Sequence, residues 1–161
     1  MNPSLVLLLA CGIGAVGGMR SMTAPAVVCW AARLGWLHLA GSPLFFMQNR
    51  VSLIIFTLAA LGEFIGDLLP AAPARTTPFP LVVRFVVGFL CGSCLAVGGG
   101  VHLWLGGIAG AVGAMAGAFG GYYARVGLVR TLRVPDALIA IPEDLFAVGL
   151  GLIVVSRFAT F

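Results

Sequence analysis

Hydrophobic residues occupy most of the chain in long stretches, which glycine, proline or arginine interrupts at intervals of about 20 residues. The hydrocarbon core of a bilayer, about 30 Å thick, takes about 20 helical residues to cross. The pattern therefore predicts an all-α integral membrane protein with about six membrane segments. The segments are expected at residues 3–19, 23–39, 51–69, 81–97, 101–126 and 137–158.

The first two segments are short, and the glycine-containing sequence GGMRSMTAP joins them. Short, interrupted segments are typical of discontinuous or re-entrant helices, which membranes tolerate where protein or water satisfies the exposed backbone. Two short tilted helices are the alternative. The fifth segment carries GGIAGAVGAMAGAFGG, a small-residue spacing that predicts close packing between membrane helices.

Composition supports the membrane interpretation. Hydrophobic residues make up 61% of the chain and charged residues only 9%, with a mean hydropathy of +1.13, whereas soluble domains carry about 25% charged residues. The net charge of +4 comes from scattered arginines, so a nucleic-acid surface is not expected. Cys91 and Cys94 form a single CxxC spacing with no second pair, and packing is favoured over a metal or redox site. We therefore expect no metal and no cofactor.

The chain is expected to form one membrane domain whose halves, residues 1–70 and 80–161, are joined by a proline-rich loop at 70–80. An offset of eighty positions pairs several residues of the two halves, including Glu63 with Glu143, the two glutamates of the chain. With three segments in each half, the halves would insert in opposite orientations. This predicts the inverted repeat found in many transporters, with chance similarity of glycine-rich helices as the alternative.

Four carboxylates are the main candidates for function. Glu63 and Asp67 are four residues apart and share one helix face near the end of the third segment. Glu143 and Asp144 follow Pro142 in the sixth segment and point about 100° apart, so only one of them can face a given cavity. An ionised carboxylate near the bilayer centre costs on the order of 3 kcal/mol, so these groups are expected to face the protein interior or water.

Three arginines could neutralise those carboxylates inside the membrane: Arg20 in the glycine-rich break, Arg33 in the second segment and Arg84 in the fourth. Arg84 has the alternative of extending its side chain to the lipid headgroups. Arg20 is the stronger candidate for an interior role, because the glycines around it leave room for close approach. Together with the four carboxylates, Arg20 and Arg84 form the predicted solute pathway or buried charge network.

Three motifs carry a resemblance to a known family: GGMRSMTAP followed by AARLGWLHL, LGEFIGDLLP, and ALIAIPEDLFAVGLGLIVV. In that order they resemble the bacterial membrane family named domain of unknown function 4126, over nearly the whole chain. The resemblance implies a multi-pass protein of the inner, cytoplasmic membrane and supplies no substrate. The positions that it highlights are Arg20, Pro25, Glu63, Asp67, Pro70, Glu143 and Asp144.

Buried carboxylates, a broken helix and the suspected repeat together predict a transporter or channel for a small solute or ion. Protonation of Glu63 or Glu143 would couple transport to the proton gradient. The alternative is a structural or assembly subunit of a membrane complex, whose charge pairs only join helices. The sequence carries no hydrolase or nucleotide-binding motif, so an enzyme is not expected. A chain of 161 residues is small for a lone transporter, so a homodimer or a larger complex is expected.

Overall fold

The computed structural model describes residues 1–66, 78–132 and 136–159, and every regular element within these ranges is helical. The described α-helices are α1 (Pro3–Met19), α2 (Thr23–Arg33), α3 (Arg50–Gly66), α4 (Pro78–Gly98), α5 (Leu103–Leu132) and α6 (Asp136–Ser156). A short 3-10 helix, Pro43–Gln48, precedes α3. The predicted all-α class is confirmed.

The predicted second segment is too long, because α2 ends at Arg33 instead of reaching residue 39. Gly35 has a φ of 82°, which only glycine adopts without strain. The N–H of Gly35 then donates to the carbonyl of Ala32 and the N–H of Trp36 to that of Ala31. This pair of hydrogen bonds is a Schellman motif, which satisfies the last carbonyls of the helix.

Two other predicted boundaries need correction. The loop predicted at 70–80 ends earlier, because α4 already begins at Pro78. Proline is tolerated in the first helical turn, where its missing N–H would have no partner within the helix. The predicted fifth segment ends too early at residue 126, because α5 continues to Leu132. The remainder of the predicted loop lies outside the described residues.

Small residues allow α1, α4 and α5 to pack with their backbones in contact. A methyl group at Gly14 would overlap the backbone of Gly110 in α5, and one at Gly18 would lie 2.6 Å from the amide nitrogen of Ala118. Gly92 of α4 faces Gly106 and Gly110 in the same way. The close packing predicted from the glycine spacing of α5 is therefore confirmed. On the other side, α2 packs against α3, α4 and α6, and α6 also contacts α1.

Two helices are long and apolar enough to cross a membrane, at Phe79–Gly98 and Leu103–Thr131 among the residues described. α1 is apolar but shorter. Large apolar side chains such as Leu8, Val51 and Phe79 are between 67% and 79% exposed, as expected for side chains that face lipid. These features indicate membrane association, and the six-segment arrangement stays a prediction.

Candidate functional site

The break between α1 and α2 consists of Arg20, Ser21 and Met22. Arg20 ends α1 in an extended conformation, with φ −136° and ψ 107°, and its N–H donates to the carbonyl of Val16 at 2.8 Å. The extended residue turns the chain away from the helix axis. The N–H groups of Ser21 and Met22 then precede the first residue of α2, where they have no carbonyl partner within that helix.

Glu63 of α3 binds both of these N–H groups. Its Oε1 accepts from the Ser21 N–H and its Oε2 from the Met22 N–H, each at 2.9 Å. A carboxylate at a helix N-terminus is stabilised by the positive end of the helix dipole as well as by the hydrogen bonds. Glu63 therefore caps α2 from a neighbouring helix, which no side chain within α2 does.

The side chain of Arg20 joins the break to α6 and α3. It is 1% exposed and forms a salt bridge with Asp144 of α6. Its guanidinium carbon also lies 5.6 Å from the centre of the Phe64 ring, within the range of a cation–π contact. Arg20 therefore lies in the protein interior.

Arg84 reaches the same break from α4. Its side chain is 5% exposed, and its Nε donates to the Ser21 hydroxyl at 3.4 Å. This burial favours the interior role over the extension to lipid headgroups. Arg20, Glu63, Arg84 and Asp144 thus surround the break, and we call these four residues the break cluster.

Glu143 lies outside the break cluster, in the wall of a cavity of about 510 Å³ that α5 and α6 border. Its Oε2 is 3.4 Å from Nη1 of Arg125, and the two side chains are 9% and 11% exposed. Glu143 and Asp144 therefore face different partners, as their 100° separation predicted. The other lining residues are Met19, Gly121, Ala124, Leu128, Pro142 and Phe146.

The structure places the residues predicted as site candidates in different surroundings. Arg33 is exposed at the end of α2, and Asp67 lies outside the described residues. Arg125 was missed, because it stands one residue from the predicted end of the fifth segment, where an arginine is normally interfacial. Glu63 contacts backbone N–H groups whereas Glu143 contacts a guanidinium, so their contacts are not equivalent. The inverted repeat stays a prediction.

Metal and thiol chemistry have no assembled site in the part of the chain that the structure describes. No group of three or more His, Cys, Asp or Glu side chains is placed to hold a metal there. Cys91 and Cys94 are both buried in α4 as free thiols. Their burial agrees with the packing role favoured from the sequence.

The family model named domain of unknown function 4126 matches residues 7–157. The chain belongs to this family. No curated protein and no solved structure matches the chain. The matched range includes the break cluster and the Arg125–Glu143 pair. The description of the family assigns no activity. Any function must therefore be inferred from these two groups of side chains.

Proposed function

We propose that this protein is a small multi-pass membrane transporter or channel, and that the cavity between α5 and α6 lies on the path of its solute or ion. The observation that carries the proposal is the Arg125–Glu143 pair in the wall of that 510 Å³ cavity. A cavity of this size is in the range of small-molecule sites. Ionisable side chains inside a membrane protein typically mark solute and proton pathways.

The neighbouring contacts suggest how α6 would take part. Its adjacent acids bind two different elements, since Glu143 pairs with Arg125 of α5 and Asp144 pairs with Arg20 of the break. Pro142, directly before them, lacks the N–H for one hydrogen bond of the helix. The helix is therefore easiest to bend beside the cavity. Protonation of Glu143 would weaken its attraction to Arg125, so that the guanidinium could direct N–H donors to a solute.

A second candidate is a structural or assembly subunit of a membrane complex, and the contacts of Glu63 favour it. Both of its carboxylate oxygens bind the backbone N–H groups at the start of α2. Each oxygen of the Glu63 carboxylate therefore accepts a hydrogen bond from the protein itself, without any solute. The two candidates can coexist in one molecule, with the break cluster holding the helices together and the cavity admitting the solute.

Location and assembly belong to the same proposal. Two long apolar helices and extensive exposed apolar surface support a place in a membrane. We propose that this is the inner, cytoplasmic membrane. A homodimer or a larger complex would cover part of the exposed apolar surface.

Charge movement in proteoliposomes on a solid-supported membrane tests the proposal. Wild type, Glu143→Gln and the exposed-site control Arg33→Gln are recorded with a panel of ions, small metabolites and pH gradients. We expect a solute-dependent or pH-dependent current that Glu143→Gln reduces at least tenfold and that Arg33→Gln leaves unchanged. Equal currents in wild type and Glu143→Gln would exclude Glu143 from the path.

The same preparations separate the two candidate functions. Glu63→Gln keeps the shape of the side chain but removes the charge that caps α2, so it should lower thermal stability, and the structural candidate predicts no current in any sample. Flux assays with radiolabelled solutes detect electroneutral transport. The absence of flux in both assays would favour the structural candidate.

A further inference from the structure

Among the lining residues that the structure describes, the cavity between α5 and α6 combines mostly apolar side chains with the opposite charges of Arg125 and Glu143. Apolar groups come from Met19, Leu128, Pro142 and Phe146, and the charges from Arg125 and Glu143. A fully hydrated inorganic ion would lose water to these walls without replacing its hydrogen bonds. The walls therefore suit a ligand with an apolar body and one charged group.

The sign of that charge follows from a chemical difference between the two side chains. A guanidinium keeps its proton at every physiological pH, whereas a carboxylate can gain one. Protonation of Glu143 makes the wall of the cavity one charge more positive. The Arg125–Glu143 pair can therefore become more favourable to an anion by taking up a proton, whereas no proton change of these two side chains makes the pair net negative.

We propose that this cavity binds an anion with an apolar body, and that a proton taken up by Glu143 accompanies it. The anionic group would accept hydrogen bonds from the guanidinium of Arg125, which offers two parallel donors to a planar or tetrahedral oxyanion. The inference deepens the proposed function, because it names the solute class and makes the coupling a symport of anion and proton. The ion pair between Arg125 and Glu143 opens as the anion enters.

The described groups around Glu143 are consistent with this assignment. α5 contributes Arg125. A Cβ at Gly121 of α5 would lie 3.6 Å from Glu143 Oε1, so the backbone of α5 lies close to the Glu143 carboxylate. Asp144 on α6 is neutralised by Arg20 at the end of α1. Arg33 of α2 is ten residues beyond the start of its helix, about 15 Å along the axis from the break. Among the arginines that the structure describes, Arg125 lines the cavity and is the cation expected to contact the ligand.

Two sources could supply such an anion: a free organic acid, or a membrane lipid with an anionic headgroup. Both have the same chemistry, an apolar body and an oxyanion. The test therefore measures a free probe and retained lipid in separate arms.

The free-probe arm uses naphthalene-2-sulfonate, which stays anionic between pH 5 and pH 8, so any pH dependence comes from the protein. The protein is placed in phosphatidylcholine nanodiscs, and empty nanodiscs correct for partitioning into lipid. We expect the Kd to fall as pH is lowered, by up to tenfold per pH unit, because one proton binds with each anion. Glu143→Gln should bind the probe with no pH dependence, and Arg125→Gln at least tenfold more weakly.

The lipid arm uses native mass spectrometry of protein taken from phosphatidylglycerol nanodiscs. Retention of phosphatidylglycerol by wild type and its loss in Arg125→Gln would identify the anion as a lipid. Equal, low retention by both, together with pH-dependent sulfonate binding, would identify it as a free acid.

Two outcomes would overturn the inference. One is wild-type binding of the sulfonate that does not change with pH or does not occur. The other is tighter binding of a naphthyl trimethylammonium cation than of the sulfonate. Both readouts use the wild type, so they hold even where Arg125→Gln fails to fold. A current lost in Glu143→Gln without anion binding would overturn this inference alone and leave the proposed transport in place.

Discussion

Arg20→Met is expected to lower the free energy of unfolding by about 3–5 kcal/mol, the usual cost of removing one partner from a buried ion pair. The side chain is 1% exposed and forms a salt bridge with Asp144 of α6. Methionine fills a similar volume but leaves the Asp144 carboxylate without its guanidinium. The same change removes the cation–π contact with Phe64. Reversible unfolding in mixed micelles measures the difference.

The double variant Arg20→Met with Asp144→Leu separates lost charge compensation from lost packing. Replacing both members of a buried pair by apolar groups is often neutral or stabilising. We therefore expect the double variant to recover most of the stability that Arg20→Met loses. Arg33→Gln, which removes an exposed arginine, should stay within about 0.5 kcal/mol of wild type. If Arg20→Met were as stable as wild type, the break cluster would not hold α6 to the break.

Gly110→Ala is expected to destabilise the protein by about 3 kcal/mol, at the upper end of the usual cost of overpacking. The added methyl group would lie 2.9 Å from the Cα of Gly92 and overlap the carbonyl of Gly88. These neighbours are backbone atoms of α4, so they cannot move aside by changing a rotamer. α1 crosses at the same place, because a Cβ at Gly14 would meet the backbone of Gly110.

Gly120→Ala provides a matched control in the same helix. A Cβ at Gly120 has no atom within 4 Å among the neighbours described. Alanine is also the better helix former by about 1 kcal/mol, so this variant should be as stable as wild type or slightly more stable. Equal effects of the two substitutions would mean that α4 and α5 do not pack through Gly110.

The helical class could be read from the sequence because it depends on local composition. Stretches of apolar residues long enough to form helices predicted all six α-helices, and the first was predicted with both ends correct at Pro3 and Met19. The errors arose at ends that depend on single residues. Gly35 stops α2 through a positive φ, and Pro78 starts α4 although proline was taken as part of the loop. The 3-10 helix after Ser42 was missed, although Ser42 caps it and Pro43 opens it.

The charged residues could be listed from the sequence, but their partners could not. Pairing depends on which helices are adjacent and how they are rotated, and neither is local information. Glu63 was expected to line a path together with Glu143, yet it binds the backbone at the start of α2. Arg125 pairs with Glu143 from eighteen positions away, and no spacing rule connects the two residues.

Access of water to the cavity between α5 and α6 is the central claim, and thiol modification of Ala124→Cys in proteoliposomes measures it directly. Ala124 is exposed and lines the cavity, whereas Val112 of the same helix is 60% exposed and does not line it. Of the native cysteines, Cys29, Cys91 and Cys94 are buried and Cys11 is partly exposed, so labelling of wild type measures the background that is subtracted from each variant. With a membrane-impermeant methanethiosulfonate reagent, the account predicts rapid modification of Ala124→Cys and none of Val112→Cys above the wild-type background. If Ala124→Cys reacted no faster than Val112→Cys, the cavity would face lipid and the proposed solute path would be wrong.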